Sequence, residues 1–316
     1  MTKANLKEEF LVKTAGGAAA QCLGLINAIY VSNKIGKSFK ISHYPYSTGT
    51  YFPLAIQDLL DISEISDPAV STKGLELENE PVKGSVIQEH PLLNKMFSYE
   101  KLLSLLRRIG IYNFIKRLQG ELVIDFSKRR LEQISENTKS ISGGFVPIVD
   151  MNVMAELKSR FVNSRLTSPF RTINDQSPEV VIHYRLGDKK LSGQYTNLGI
   201  DGVVEPSTFR KILEQESLLN SSSIYVISDE PMIARDLLKS VGIVAKVRDT
   251  NGDIWADISF MASAKVAICS WSQVSQLAAI FNIHNGGRVF YSDSSSTGFS
   301  PRWTIPRATS FKPEFL

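Results

Sequence analysis

The 316-residue sequence contains little cysteine and no long apolar run. Its two cysteines, Cys22 and Cys269, lie far apart in apolar segments, which favours buried thiols over a disulfide framework or a zinc site. No segment approaches the roughly 18 apolar residues of a membrane span, and the polar start of the chain is unlike a signal peptide. We therefore expect a cytoplasmic protein.

The excess of charge of one sign is also small. The formal net charge is +4 at pH 7, a bias that fits an anionic ligand but is too weak to indicate a nucleic-acid partner. Hydrophobic residues make up 43% of the chain and charged residues 22%, as in soluble globular proteins. A sizeable core is therefore expected.

The most informative stretch present covers residues 180–188. The apolar run 180–182 predicts a short buried parallel strand, and ligands of open α/β sheets bind beyond the carboxyl ends of such strands. Arg185 offers donors suited to phosphate or carboxylate, and Gly187 would let the backbone approach that anion. His183 and Asp188 could orient the ligand or move a proton. The alternative is a loop ion pair between Arg185 and Asp188 beside a packed histidine.

Apolar runs and helical periodicity alternate along both halves of the chain, which predicts the α/β class with two Rossmann-like, doubly wound domains. We expect an N-terminal domain over residues 1–165 and a C-terminal domain over residues 166–316, joined by a turn-rich linker at 164–177. The strands are predicted at 10–15, 38–43, 121–126, 144–149, 180–183, 224–228, 243–247, 265–269 and 288–291. The helices are predicted at 18–35, 152–161, from Ser207, from Pro231, at 253–264 and at 272–281, with Ser207 as an N-cap.

Two strand-to-helix turns are candidate ligand sites. Gly16 and Gly17 form either a plain tight turn or a ligand-facing one, since the full dinucleotide fingerprint is missing. The second turn runs from residue 270 to 275, where Ser272 and Ser275 could donate to the phosphates that Arg185 binds, because helix N-termini attract anions. The alternative for Ser272 is an ordinary N-cap. Asp257 is either an exposed helical charge or a hydrogen-bond acceptor for a base ring.

Residues 99–118 carry an apolar stripe together with several basic side chains, which predicts a basic amphipathic helix. Such a helix either packs its stripe on the core of its own domain or lies on an anionic membrane surface. Peripheral contact with the inner membrane surface is thus one of two expectations for this segment.

The segment His183-Tyr-Arg185-Leu-Gly187-Asp188 resembles the His-x-Arg-Arg-Gly-Asp motif of the α-1,2-fucosyltransferases and their relatives that use GDP-fucose. Residues 260–282 are similar to a late segment of that family, in which a serine-rich turn follows a strand. Gly16, Gly17 and Gln21 resemble its N-terminal Gly-Gly turn, and residues 225–229 its aromatic-strand-Ser-Asp segment. The matches cover about residues 12–40 and 178–290.

This resemblance implies an inverting, metal-independent glycosyltransferase of the GT-B type, with no cofactor besides its nucleotide-sugar donor, GDP-fucose. The transferred L-fucose would go to a galactoside-type hydroxyl of a surface polysaccharide or a lipid-linked oligosaccharide. Arg185, Gly187, Ser272 and Ser275 would bind the diphosphate, and Asp257 the guanine. The turn at Gly16, Gly17 and Gln21 would face the acceptor or the sugar, and His183 or Asp188 would be the general base.

The sequence departs from the family pattern at three positions. Leu186 replaces the second arginine of the motif, Ala20 lies where the family has asparagine, and Trp271 replaces another asparagine. These departures keep two alternatives open, namely a transferase that uses another nucleotide sugar and a non-catalytic nucleotide- or glycan-binding subunit of an assembly complex. A phosphate-ester hydrolase based on His183 and Asp188 is weaker, because no metal cluster accompanies them.

Overall fold

The computed structural model describes residues 9–15, 17–44, 46–47, 50–51, 121–125, 133–144, 148–160, 169–170, 173–187, 203–221, 223–248, 252–270, 272–292, 305 and 307–311. Gly16, Asp188 and Trp271 lie outside these residues, as does the predicted helix at 99–118. Elements are numbered below within the described part of the chain.

A four-stranded parallel sheet forms in the N-terminal half, with the order β2-β1-β6-β5. The helix after β1 ends at Gly36, whose φ of 68° is the left-handed conformation that closes many helices. A two-stranded antiparallel sheet of β3 and β4 follows β2. The elements are β1 (Glu9–Ala15), α1 (Ala18–Ile35), β2 (Ser38–Tyr44), β3 (Tyr46–Ser47), β4 (Thr50–Tyr51), β5 (Glu121–Asp125), β6 (Ser140–Gly144) and α2 (Met151–Arg160).

A six-stranded, all-parallel sheet forms in the C-terminal half, with the order β12-β11-β10-β7-β8-β9. Three of its inner strands, at Val180–His183, Ile224–Ile227 and Val266–Cys269, are short and mostly apolar runs, as expected for strands buried on both faces. The elements are β7 (Val180–His183), α3 (Pro206–Gln215), β8 (Ile224–Ile227), α4 (Pro231–Ser240), β9 (Lys246–Val247), α5 (Ile254–Ala262), β10 (Val266–Cys269), α6 (Gln273–His284), β11 (Arg288–Ser292) and β12 (Thr309–Phe311).

The order of this sheet reverses between β7 and β10. From β7, the strands β8 and β9 are added toward one edge of the sheet. The strands β10, β11 and β12 are added on the other side of β7, toward the opposite edge. This is the arrangement of doubly wound nucleotide-binding sheets, in which ligands bind where the strand order reverses. The carboxyl ends of β7 and β10 are thus the expected ligand position, and His183 and Cys269 are paired there.

Two apolar clusters cover the two faces of the C-terminal sheet. One contains Ile182, Val226 and Phe209 from β7, β8 and α3. The other joins Val181 and Ile280 with residues of α1, so that the core of the C-terminal sheet is continuous with that of the N-terminal sheet. Helix α1 is apolar nearly all round its surface, as expected for a helix covered on several sides.

Several element boundaries differ from the sequence predictions. Helix α3 begins at Pro206 with Glu205 as an N-cap that makes no side-chain bond, so the predicted cap at Ser207 is wrong. The reason is that Pro206 takes the first helical position, so the cap is Glu205, two residues before the predicted one. The strand predicted at 144–149 ends where it was expected to begin, since β6 pairs with β1 and β5 through residues 140–144.

Most other elements are confirmed, and both cysteines are buried free thiols.

Part of the predicted linker packs on α6, where the rings of Phe170 and Phe281 meet edge to face with centroids 4.9 Å apart. Within the described ranges, no helix is long and apolar enough to cross a membrane. No cluster of His, Cys, Asp and Glu suited to a metal occurs among those residues either.

Candidate functional site

A cavity of about 320 Å³ opens at the carboxyl edge of the C-terminal sheet, beside the reversal point. Its wall combines residues at the ends of β7, β8 and β9 with residues from the first turns of α4, α5 and α6. Volumes of about 300–1,000 Å³ are usual for small-molecule sites. The lining residues are His183, Arg185, Ile227, Ser228, Asp229, Pro231, Arg248, Gly252, Ile254, Asp257 and Val274.

The hydroxyl of Ser270 links the ends of β7 and β10 across the reversal point. It accepts a hydrogen bond from the backbone N–H of Arg185 at 2.9 Å, and it lies 3.2 Å from Nδ1 of His183. Both Ser270 and His183 are buried. The turn that carries Arg185 is therefore fixed to the neighbouring strand end before any ligand binds.

This hydrogen-bond network holds the ring of His183 and allows two tautomers. The Ser270 oxygen accepts from the backbone N–H of Arg185 and keeps one hydrogen and a second lone pair. Ser270 therefore either donates to Nδ1 of His183, with the ring proton on Nε2, or accepts from Nδ1–H. Burial lowers the pKa of His183 from 6.5 to about 4, with the Arg185 charge acting in the same direction and Asp229 against it. The ring is therefore neutral near pH 7.

Asp229, directly after β8 and Ser228, holds the turn that follows β7. Its carboxylate accepts the backbone N–H of Leu186 at 3.0 Å and that of Gly187 at 2.9 Å. It also lies 3.3 Å from the Arg185 guanidinium, so three donors from one turn converge on this carboxylate. Burial alone would raise the pKa of Asp229, but these N–H groups and the Arg185 charge hold it below its ordinary value. Asp229 is therefore ionised near pH 7.

Gly187 is needed at its position because of this carboxylate. A Cβ atom there would lie 2.6 Å from Oδ2 of Asp229, closer than non-bonded atoms approach. The group that approaches the Gly187 backbone closely is therefore the Asp229 carboxylate. A direct contact of Gly187 with a phosphate stays a prediction.

The serines at the start of α6 form hydrogen bonds within their own turn. Ser272 is the N-cap, and its hydroxyl accepts from the backbone N–H of Ser275 at 3.1 Å. The buried Ser275 hydroxyl lies 2.7 Å from the Ser270 carbonyl, to which it donates. The confirmed role of Ser272 is the ordinary cap, and phosphate contacts from either serine stay predictions. Val274 of the same turn lines the cavity.

Helix α5 supplies the far side of the cavity. Asp253 caps this helix by accepting from the N–H groups of Trp255 and Ala256. That cap places Ile254 and Asp257 in the first turn, where both line the cavity. Asp257 and Arg185 thus line the same cavity. This is a condition for both residues to bind one ligand.

Gly17 and Gln21, the predicted acceptor-side residues that the structure describes, are not among the residues that line this cavity. Gly17 is the N-cap of α1, and the backbone N–H of Gln21 donates to its carbonyl at 3.1 Å. Gln21 is completely buried, so its side chain is part of the packing around α1. A sugar-facing role for these residues stays a prediction.

The departure of the motif at Leu186 has a structural reason. The Leu186 side chain is completely buried in the same apolar cluster as Tyr184 and Phe209, and it points away from the cavity. Tyr184 is fixed there by donating to the Val204 carbonyl at 2.6 Å. Leu186 therefore packs in the core. Of the two positions that carry arginine in the family motif, 185 and 186, position 185 lines the cavity in this chain.

Sequence reasoning placed His183, Arg185 and Asp257 in one site, and the structure brings all three to one cavity. It gave no separate role to Ser270, Asp229 or Arg248. A usable signal existed, because each of these residues follows directly or closely after a strand, and the carboxyl ends of parallel strands meet at one edge. The fold and the cavity together define a doubly wound α/β protein with a candidate small-molecule site at the reversal point.

No protein-family model and no curated protein matches the sequence. Among solved structures, the apo form of POFUT1 overlaps 92% of this chain and 99% of its own, with 11% identity and a TM-score of 0.45. The fucosyltransferase NodZ from Bradyrhizobium overlaps 86% of this chain and 92% of its own, with 8% identity and a TM-score of 0.41.

A glycosyl transferase of family 9 from Veillonella parvula overlaps 98% of this chain and 87% of its own. Its sequence identity is 8% and its TM-score is 0.40. All three TM-scores lie below 0.5, so these overlaps assign no family, ligand or reaction to the chain.

Proposed function

We propose that this protein is a glycosyltransferase that uses a nucleotide-diphosphate sugar, with GDP-fucose as the donor. The two parallel sheets would belong to two Rossmann-like domains of the GT-B type, divided near residue 165. The reaction would be inverting and metal-independent, and L-fucose would pass to a galactoside-type hydroxyl of a polysaccharide or lipid-linked oligosaccharide. The α-1,2 linkage follows from the resemblance of the motif around Arg185.

The observation that carries the proposal is the position of Arg185. Its side chain lines the cavity at the reversal point of the sheet, and Asp229 holds its guanidinium at 3.3 Å. Sugar transfer develops negative charge on the departing diphosphate, and a cation fixed before the reaction stabilises that charge without reorganising. Arg185 would therefore supply the electrostatic stabilisation that a metal ion supplies in other transferases.

Asp257 is the proposed recognition group for guanine. It lies in the first turn of α5, on the wall of the same cavity as Arg185. A carboxylate can accept two hydrogen bonds, one from the ring N–H of guanine and one from its amino group. Uracil and cytosine do not present this pair of donors, so Asp257 would favour GDP over UDP and CMP.

The proton acceptor of the reaction is proposed from the state of His183. A base must have a free lone pair directed at the acceptor hydroxyl, and His183 would have none if the Ser270 hydroxyl donates to Nδ1 and the ring proton is on Nε2. His183 would therefore donate to the donor substrate, and Asp188 becomes the preferred candidate for the base. Asp188 lies outside the described residues, and its role rests on the motif alone.

The direct test is release of GDP. The purified protein, given GDP-fucose and a galactoside-ended acceptor, should release GDP, and omission of the acceptor should reduce the release to slow hydrolysis. Arg185→Ala should lower kcat by roughly 100-fold or more, as loss of one transition-state donor does elsewhere. Turnover of UDP- or CMP-sugars with no turnover of GDP-fucose would refute the donor assignment.

A second candidate function is a nucleotide-binding subunit without catalysis, favoured by the buried Leu186 in place of a second arginine. This protein would bind GDP in the same cavity and release nothing from GDP-fucose with any acceptor. Binding that depends on Arg185, together with no turnover, would decide for this candidate.

A further inference from the structure

A second arginine lines the cavity next to another strand. Arg248 directly follows β9, and its backbone N–H donates to the Val226 carbonyl at 3.0 Å, which extends the pairing with β8 by one residue. Arg248 thus lines the same cavity as Arg185. Neither the motif around Arg185 nor the serine turn of α6 includes this residue.

The guanidinium of Arg248 is held by aromatic rings. Its central carbon lies 4.7 Å from the ring centroid of Phe260 on α5, a cation–π distance. The Phe260 ring in turn meets Tyr225 of β8 nearly at right angles, with centroids 5.1 Å apart. Arg248 is therefore positioned by packing on the wall of the cavity.

Geometry allows Arg185 and Arg248 to approach one ligand from two sides. They follow β7 and β9, which flank β8 in the sheet. Neighbouring strands lie about 4.8 Å apart, so the ends of β7 and β9 are separated by roughly 10 Å. Two arginine side chains can span that distance to a group lying over the end of β8.

Among the residues that the structure describes, the charges that line the cavity also favour a second cation as a ligand-binding group. The Arg185 charge is offset by Asp229 at 3.3 Å, and Asp257 adds another carboxylate to the wall. A nucleoside diphosphate carries at least two negative charges. One guanidinium already paired with a carboxylate leaves much of that charge without a counter-charge.

We propose that Arg248 is a donor-binding residue that clamps the diphosphate together with Arg185. This inference deepens the proposed function, because it takes the diphosphate of the donor as the ligand of the cavity. Arg185 would bind from the β7 side and Arg248 from the β9 side. The aromatic support fixes the second guanidinium before the ligand arrives.

The test compares three changes at Arg248 with a matched control. Arg248→Ala removes the charge and the stem, Arg248→Met keeps an apolar stem on Phe260, and Arg248→Lys keeps the charge without the planar fork. The control is Lys246→Ala, since Lys246 is a cation on the same strand that lies over the Tyr225 ring at 5.6 Å, outside the lining of this cavity. Dissociation constants for GDP, inorganic pyrophosphate and guanosine are measured by calorimetry.

We expect Arg248→Ala and Arg248→Met to weaken GDP and pyrophosphate by about tenfold to 100-fold, the range for loss of a charge-assisted contact. Guanosine should be unaffected, and Arg248→Lys should give an intermediate loss. Lys246→Ala should stay within about twofold, as a cation outside the cavity contributes only screened attraction. Retained guanosine affinity shows that the variants are folded.

The outcomes separate this inference from the proposed function. If Arg185→Ala loses affinity while the Arg248 variants do not, the clamp is wrong and the donor site stands. If Arg248→Met binds like wild type while Arg248→Ala does not, the residue has a packing role and the clamp is also wrong. If wild type binds neither GDP nor pyrophosphate, both proposals fall.

Discussion

At the scale of single residues, His183 is the group whose protonation matters most. It is neutral when folded because burial lowers its pKa to about 4, whereas the unfolded chain titrates near 6.5. Between these values the unfolded state binds the extra proton, so stability rises with pH in this window and falls on acidification. A shift of this size corresponds to roughly 3 kcal/mol.

The prediction is that His183→Gln flattens the dependence of the free energy of unfolding on pH between about 4 and 6.5. Urea denaturation at a series of pH values measures this slope. His284→Gln is a second case rather than a neutral control, because burial and the Lys158 charge lower the pKa of His284 as well, so its loss should also flatten the slope. An unchanged slope in His183→Gln would show that His183 titrates normally.

Ser270 gives a second test at this scale. We propose that Ser270 donates to Nδ1 of His183, so we expect the Nε2–H form alone in the wild type and both tautomers in Ser270→Ala, which lacks this donor. Nitrogen-15 NMR of the labelled histidine rings distinguishes the two forms. Ser292→Ala, which removes another buried hydroxyl at the end of a strand of this sheet, should leave the His183 signals unchanged. A wild-type ring protonated on Nδ1 would contradict the assignment.

Gly187 tests the carboxylate that fixes the Arg185 turn. Gly187→Ala places a Cβ 2.6 Å from the Asp229 oxygen, so the carboxylate must move and lose its N–H donors. We expect a loss of about 1–3 kcal/mol in stability. In the Asp229→Ala background the same substitution should cost much less, because its clash partner is gone. Equal costs in both backgrounds, measured by chemical denaturation, would place the strain elsewhere.

The sequence predicted single residues best where chemistry is concentrated in a short stretch. His183 and Arg185 were found because an apolar strand ends abruptly in polar residues. Arg248 received no role although it directly follows a predicted strand, because the sequence does not show which strand ends lie side by side. Its importance depends on Phe260 and on the strand order, and neither follows from nearby residues.

At the scale of elements, the start of α6 separates a structural role from a ligand-binding role. Ser272 caps the helix, and loss of such a cap costs about 0.5–2 kcal/mol. Ser272→Ala should therefore destabilise the protein, and Ser272→Asp should not, since aspartate caps equally well.

The same pair of variants tests whether this helix start faces the diphosphate. The carboxylate in Ser272→Asp would repel a bound phosphate, so GDP should bind at least about tenfold more weakly while the melting temperature is retained. GDP affinity equal to that of the wild type would place the diphosphate away from α6.

Element prediction succeeded where buried strands appear as continuous apolar runs, as in β7, β8 and β10. It overestimated β9, predicted at 243–247 and observed at Lys246–Val247. The reason is that the N–H of Ile243 donates to the Leu238 carbonyl and still belongs to the end of α4. Ile243 and Ala245 are buried and Val244 between them is exposed, an alternation that is also typical of a strand.

At the scale of the whole molecule, one apolar cluster joins α1 with α6 and both parallel sheets. We predict that the two halves unfold in one cooperative transition. Ile280→Ala, in the fully buried part of α6, should lower the stability of both halves by about 2–5 kcal/mol. Hydrogen exchange read by mass spectrometry reports each half separately. Loss of protection confined to the C-terminal half would mean that the two halves unfold independently.

The α/β class and the parallel sheets followed from the alternation of apolar runs with helical patterns. The continuous core did not, because the prediction divided the chain at residue 165 and gave no sign that α1 packs against α6. Packing between distant segments depends on which faces meet in three dimensions. A mostly apolar helix such as α1 shows only that several of its sides need to be covered.

The central claim is that Arg185, at the reversal point of the C-terminal sheet, binds the diphosphate of a nucleotide sugar. A crystal structure of the protein with GDP tests this most directly. We expect the diphosphate in the cavity, with a phosphate oxygen at hydrogen-bond distance from the Arg185 guanidinium. Ordered GDP at another position, with Arg185 directed away from its phosphates, would contradict the claim.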